Sequence, residues 1–533
     1  MIVRKSKKKT IQNFIKGNIN EVEVIIPNIS DHIMSYADED LGLDTIIENN
    51  TDCKTHVDGI PPVLFHYGLI SAKLKRLFSV SSSVLAITTS SIIDKFELNI
   101  VSNEEFTCEG NMRKFINKMG ISAEITIQQI QEKIKEVIDK NKKTKKTKLV
   151  IDEEKIKKEL QIKQDGHQFI KFFNNVLKEL IKKTERPHIH ILDCVKMPVN
   201  INNANYELSS VINYEGNAMR GYKMGVLRGV TSTGGIIEYL IDDTITTNDL
   251  KLVEKEISEY DGFQNGDYLL MDRGFAKIDF VCTLVNRGVN VIIPVKKNME
   301  IYSESVKMAK QDNNAWNKHP NPKREGQEIK LITNLKGLWI TESDKDKKPE
   351  KFMKNAVDFN ACVTRIDKTK DKNKKIIEAV KKTEDETDEL YEDDKYIYLV
   401  ILSTDTKLSA SEIIRHYEMR PEIEEDFRQL KDIWKICTFT STKYIFVMCQ
   451  ICMTFLAYNL FNLFKNSEKG KDYVNKSMKT IAREEQRDRV PFYETNYLIV
   501  TNGYYYIFNG VEFLDLYSDC PKEIREKIKP LLV

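Results

Sequence analysis

Residues 186–297 constrain the fold most, because hydrophobic periodicity switches there between strand and helix spacing in a readable order. HIHILDCV predicts a first strand ending near Asp193, and GYKMGVLRGVTS predicts a second. After the turn residues Thr233, Gly234 and Gly235, IIEYLID predicts a third, giving an antiparallel meander. TTNDLKLVEKEISEY begins with capping-type residues and repeats its apolar positions at helical spacing. DYLLMD is a fourth strand, FAKIDFVCTLVNRG a helix stopped by glycine, and VNVIIPV a fifth strand.

Three strands, helix, strand, helix, strand is the order of a ribonuclease-H-like mixed α/β sheet flanked by helices. In that arrangement the fourth strand lies beside the first and parallel to it. Asp193 and Asp272, far apart in sequence, then end neighbouring strands at one sheet edge. Open sheets collect ligands at that end of their strands.

A second constellation lies at residues 417–431, YEMRPEIEEDFRQLK. At about 100° per residue, Glu424 and Lys431 lie about 20° apart around a helix axis, with Arg428 one turn from Glu424. Pro421 should break and restart the helix, so the alignment of Tyr417 and Arg420 with Glu424 does not follow from helical angle alone. Crowded carboxylates repel and need a compensating cation. Oxygen ligands favour Mg²⁺ or Mn²⁺, and two such ions about 4 Å apart serve in-line attack on a phosphodiester. Arg420, Arg428 and Lys431 can neutralise phosphate oxygens, and the Tyr417 ring can stack on a base. Each residue also has a plainer reading: Asp193 as a polar strand end, Asp272 as a helix cap, Glu424 as half of a surface ion pair. His188 and His190 suggest a hydrolase-type metal pair, but they point to one face of the strand and Asp193 to the other.

A chain of 533 residues with 30% charged and 41% apolar side chains is soluble and too long for one core. Its net charge of +2 steers nucleic acid weakly, so a DNA partner must be gripped by local patches such as RKSKKK at 4–9 and KNKKTKKTK at 140–148. Nine scattered cysteines argue against a disulfide scaffold and for a reducing cytoplasm. Cys449 and Cys452 lie in the apolar run YIFVMCQICMTFLAYNLFNLF, which Gln450, Asn459 and Asn462 interrupt. It reads as a core helix, with neither a zinc site nor a membrane span expected. The basic, then polar, start carries no apolar export signal.

Five segments are expected. Residues 1–180 form a mainly helical region, with PPVLFHYGLISAKLKRLF and EITIQQIQEKIKEVIDK as its clearest helices and DNA-end binding as a candidate role. Residues 181–297 begin the catalytic domain, 298–394 form a β-rich insertion with IKLITNL and AVDFNACVTRI as strands, 395–490 complete the catalytic domain, and 491–533 hold a hairpin around Asn502 and Gly503.

Together, ILDCVKMPV around Asp193, MRGYKMGVLRG at 219–229, LLMDRGF around Asp272, LVILSTD, the spaced Tyr417, Arg420, Glu424 and Lys431, and FLAYNLF resemble a DDE-type insertion-sequence transposase. The likeness runs from about His190 to Asn459. It implies Asp193, Asp272 and Glu424 as ligands of two Mg²⁺ or Mn²⁺ ions, with Asp193 bridging them. The long interval before Glu424 is similar to relatives with a β-strand insertion, whereas Pro421 stands where the family often has tryptophan. The implied activity is cutting double-stranded DNA at terminal inverted repeats and joining 3′ ends to a target, with a hairpin as one second-strand route and a homodimer in the DNA complex. The alternatives are a transposase-derived DNA-binding protein without cleavage, and a metal-dependent hydrolase built on the histidine pair.

Overall fold

The computed structural model describes residues 4–25, 28–51, 60–77, 79–87, 108–144, 151–214, 216–232, 234–336, 357–370, 395–485 and 495–529, with residues 53 and 373 besides. The chain divides into two compact units. Met1–Thr184, Met197–Tyr222 and Gln429–Val533 form the first, and Glu185–Lys196 with Lys223–Arg428 the second.

In the first unit the apolar run becomes the helix Tyr444–Lys465, buried along nearly its whole length. It is long and apolar enough to cross a membrane, yet 94% of its most apolar window is buried inside the protein, as the polar interruptions led us to expect of a core helix. The long helix Glu153–Ile181 packs on it, with the Phe173 and Phe455 rings 6.2 Å apart. Gly166 explains the close approach: a Cβ there would stand 2.5 Å from the Tyr444 ring. A glycine costs a helix about 1 kcal/mol relative to alanine, and here it makes room for a tyrosine.

The same unit holds a four-stranded sheet in the order Arg4–Lys5, Tyr504–Asn509, Asn496–Thr501, Ile19–Ile25. Thr501 pairs with Tyr504 across the two-residue Asn502-Gly503 turn, where Gly503 takes φ +78°, a conformation side chains resist. A mainly helical reading of residues 1–180 misses the strand INEVEVI. Its short alternating pattern gains stability only from pairing with a hairpin almost the whole chain away.

The second unit carries the elements predicted for residues 186–297. They are β1 (Ile189–Val199), β2 (Asn217–Thr231), β3 (Gly234–Thr244), α1 (Asp249–Glu259), β4 (Tyr268–Met271), α2 (Ile278–Asn286) and β5 (Asn290–Pro294); the last residues of β1 and the first of β2 belong to the first unit. Then follow α3 (Glu300–Gln311), β6 (Asn317–Lys318), β7 (Gln327–Lys336), β8 (Asp358–Asp367), β9 (Tyr396–Ser403), α4 (Ala410–Tyr417) and α5 (Pro421–Asp432). The sheet order is β3–β2–β1–β4–β5–β9–β8–β7–β6, and a further strand not expected from the sequence, Ser210–Tyr214, also pairs antiparallel with β2. β4 is parallel to both β1 and β5, whereas β9 runs antiparallel to β5, with Leu402 opposite Ile293. The strands read as an insertion therefore extend the same sheet. The charged runs KTKDKNKK and KKTEDETDELYEDDK fall mostly outside the described residues.

The apolar faces of α1, α2 and α3 bury Val253, Ile257, Phe280, Leu284, Tyr302 and Val306 against Leu269, Val291 and Val400. At the start of β1 a charged cluster interrupts this core. His190 Nδ1 lies 2.6 Å from Glu238 on β3, and its Nε2 lies 3.4 Å from Asp267 at the start of β4. Arg186 bonds Asp267, and the exposed His188 approaches it at 3.5 Å. Burial works against a charged His190 ring, but Glu238 and Asp267 outweigh it and hold its pKa at about 9. A histidine pKa raised on folding stabilises fully below about 6.5 and loses that contribution as pH rises through about 9. Between pH 6 and 9.5 the wild type is therefore expected to lose on the order of 3 kcal/mol more unfolding free energy than His190→Gln, measured by denaturant titration at each pH.

Candidate active site

Strand register brings the first two acids together. Leu192 of β1 pairs with Met271 of β4, so Asp193 and Asp272 occupy the next position on adjacent parallel strands. Each tethers one oxygen locally: Asp193 Oδ1 accepts from the Cys194 N–H and Asp272 Oδ1 from the Arg273 N–H, both at 2.7 Å. In both, the other oxygen faces the same guanidinium.

That guanidinium belongs to Arg420. A capping box between Ser409 and Glu412 starts α4, which ends at Tyr417, and Pro421 opens α5, the restart expected from the sequence. Arg420 lies in the short connection. Its Nη2 stands 2.8 Å from Asp193 Oδ2 and 3.9 Å from Asp272 Oδ2, while its Nη1 bonds Glu424 one turn on. The two aspartate oxygens are thus within the sum of those distances of each other. Three distant acids share one cation.

Their environments differ. The Asp193 side chain is 18% exposed, whereas Glu424 is 57% exposed, so the site opens towards solvent on the α5 side. Burial pushes the Asp193 carboxyl up to about 6; Asp272 and Glu424 act in the same direction, against Arg420 and the Cys194 N–H. Burial, with Asp272 beside it, likewise raises the Tyr417 phenol. For Arg420, burial alone would lower the pKa, but Asp193 and Asp272 more than reverse that.

The remaining cations of the signature stand elsewhere. Arg428 makes a two-pronged bond with Glu425 at 2.6 and 2.7 Å on the exposed side of α5. Lys431 is exposed in the last turn of the same helix.

Arg228, which no sequence argument singled out, aims Glu424. It is buried on β2, and its Nε and Nη2 bond Asp426 at 2.6 Å and Glu422 at 2.9 Å on α5. Glu422 and Asp426 lie about 40° apart on the helix, and Glu424 lies about 160° from Asp426. Ile423, Phe427 and Leu430 are buried between these flanks. With one flank pinned to the sheet, the other delivers Glu424. The grip also separates the acids: Glu422 and Asp426 face Arg228, Glu425 faces Arg428, and only Glu424 joins Asp193. Gly235 leaves the space, since a Cβ there would meet Arg228 at 2.1 Å. A basic residue inside the apolar strand KMGVLRGV, with acids four apart on a later helix, was the available signal.

Among the described residues no group of three or more His, Cys, Asp or Glu is gathered closely enough to hold a metal ion, and at this site the guanidinium stands between Asp193 and Glu424. The donor set nonetheless fits a hard divalent cation. It offers carboxylate oxygens from three elements, directed at one positive centre, and Asp193 remains hard to ionise even with Arg420 in place.

Residues 213–460 match the family described as Transposase DDE domain. This stretch is a transposase DDE domain. Asp272, Arg420 and Glu424 fall inside the match, while Asp193 lies on the strand just before it. Among solved structures, the transposase domain and its flanking residues are similar to the piggyBac transposase synaptic complex with hairpin DNA. That similarity has 9% identity and a TM-score of 0.40 over 87% of this chain and 81% of that one. No curated protein sequence matches the chain.

Proposed function

We propose that the protein is a DNA transposase that cuts at the terminal inverted repeats of its element and joins the freed 3′ ends to target DNA. The observation that carries this reading is the convergence of Asp193, Asp272 and Glu424 on one cation, within a chain that bears a transposase domain. The sheet order β3–β2–β1–β4–β5 supports a ribonuclease-H-like core, with the later strands added at its β5 edge.

In this mechanism Asp193, Asp272 and Glu424 would hold two Mg²⁺ or Mn²⁺ ions. Bound there, such ions would supply an activated oxygen nucleophile and charge compensation at the leaving oxygen. Attack by water at phosphorus breaks the P–O3′ bond and leaves a 5′ phosphate and a 3′ hydroxyl. That hydroxyl then attacks a target phosphodiester, forming a new P–O bond as the target's own P–O3′ bond breaks and its 3′ oxygen leaves as a hydroxyl. Tyr417 lines the strand path, and Arg420, Arg428 and Lys431 neutralise phosphate oxygens. The N-terminal region reads the ends, and two copies pair them.

The histidine-based hydrolase fits poorly. His190 already has both ring nitrogens turned to Glu238 and Asp267 and is protonated up to about pH 9, so it has no lone pair to offer a metal. DNA binding without cleavage remains the competitor to test. Duplexes carrying the inverted repeats that flank the gene should yield 3′ hydroxyl ends in Mg²⁺ and none in EDTA. Binding with no strand breaks in either buffer would favour the competitor.

A further inference from the structure

Resting on the metal-holding role just proposed, we infer that Arg420 is a displaceable internal cation. It holds the three acids together until divalent ions arrive, and then turns its guanidinium to a DNA phosphate. Its two terminal nitrogens together reach Asp193, Asp272 and Glu424. A Mg²⁺ or Mn²⁺ ion needs carboxylate oxygens at about 2.1 Å. An ion held between Asp193 Oδ2 and Asp272 Oδ2 would claim the space now filled by Nη2, which stands 2.8 Å from the first. Ion and guanidinium therefore compete for the same oxygens.

The resting arrangement is also imperfect. Arg420 Nε is buried without a hydrogen-bond partner, a loss that a planar fork avoids when it meets a partner able to accept from all its donors. A phosphate accepts two parallel N–H bonds and is such a partner. Arg420 sits in the non-helical connection between α4 and α5, four residues before Glu424, so its side chain can turn without disturbing either helix ladder. The exposed Glu424 side of the site is where a strand would approach.

Metal binding and DNA binding are thereby coupled through one side chain, because each removes a cost of the other. In the free protein Mn²⁺ must displace the arginine. With DNA present the guanidinium has somewhere to go.

The test is calorimetric titration of Mn²⁺ into the full chain, with and without an inverted-repeat duplex, for wild type, Arg420→Gln and Asp193→Asn. Melting in EDTA and in Mn²⁺ accompanies it. Arg420→Gln should bind Mn²⁺ about tenfold or more tightly than wild type without DNA, and should melt lower in EDTA with the gap narrowing in Mn²⁺. DNA should tighten Mn²⁺ binding in wild type and leave Arg420→Gln unchanged. Equal or weaker Mn²⁺ affinity in folded Arg420→Gln, or the same DNA effect in both proteins, overturns the inference and leaves the metal site standing. Wild-type Mn²⁺ affinity in Asp193→Asn instead overturns the metal-site reading itself. Should Arg420→Gln lack the wild-type circular dichroism spectrum, Arg420→Lys replaces it. Lysine keeps the charge without the fork, so loss of the DNA effect on Mn²⁺ affinity supports the inference, and its persistence at wild-type size overturns it.

Discussion

Asp193→Asn is expected to lower Mg²⁺-dependent cleavage of inverted-repeat DNA on the order of 10³-fold or more, with duplex affinity unchanged within about threefold. Asn keeps the shape of the side chain and an oxygen for the Cys194 N–H, but removes the charge that the site gathers around. Folding should not suffer. A carboxyl whose pKa is raised to about 6 by burial destabilises the fold when ionised, and this cost grows as pH rises from about 3.8 through 6. A neutral amide at pH 7 escapes it, so the melting midpoint should hold or rise. Gel assays of cleavage and binding together with a thermal melt check this. A lower midpoint with proportional loss of binding would mean that Asp193 supports structure rather than chemistry.

Arg228→Ala should be the most damaging substitution away from the acids. Removing one partner of a buried ion pair costs about 3–5 kcal/mol, because the charge left behind has no compensation. Here the buried Asp426 loses the guanidinium it bonds, and α5 loses its anchor to β2. Cleavage should fall with stability, since Glu424 is aimed by that anchor. Adding Asp426→Asn to Arg228→Ala should restore part of the lost stability, and far less of the lost cleavage. Denaturant unfolding of the two single variants and the double variant measures the coupling. Additive losses would show that the pair carries no special load.

The sheet around the acids was legible because hydrophobic spacing switches between strand and helix periods and Gly and Asn punctuate the elements. Asp193 and Asp272 could be paired from sequence because the element order, in a ribonuclease-H-like arrangement, sets the fourth strand beside the first; the register itself comes from the structure. Pro421 correctly marked the start of α5. The phosphate-gripping role that the sequence suggests for Arg420 does not reveal its place among the acids, because Arg420 precedes the helix that carries Glu424. Arg428 shares a helical side with Glu424 by angle, yet its neighbour Glu425 captures it, a local competition that spacing alone does not resolve. Arg228 was hidden inside an apolar strand, since its partners appear only when α5 lies against β2. The strand Ile19–Ile25 was lost for the same reason: its partner is the hairpin at the far end of the chain.

Anomalous scattering from crystals of the full chain grown with Mn²⁺ tests the central claim most directly. Manganese peaks within bonding distance of Asp193, Asp272 and Glu424, with the Arg420 guanidinium turned away, are the predicted result. Crystals saturated with Mn²⁺ in which those carboxylates still grip Arg420, and manganese appears only elsewhere, would contradict it.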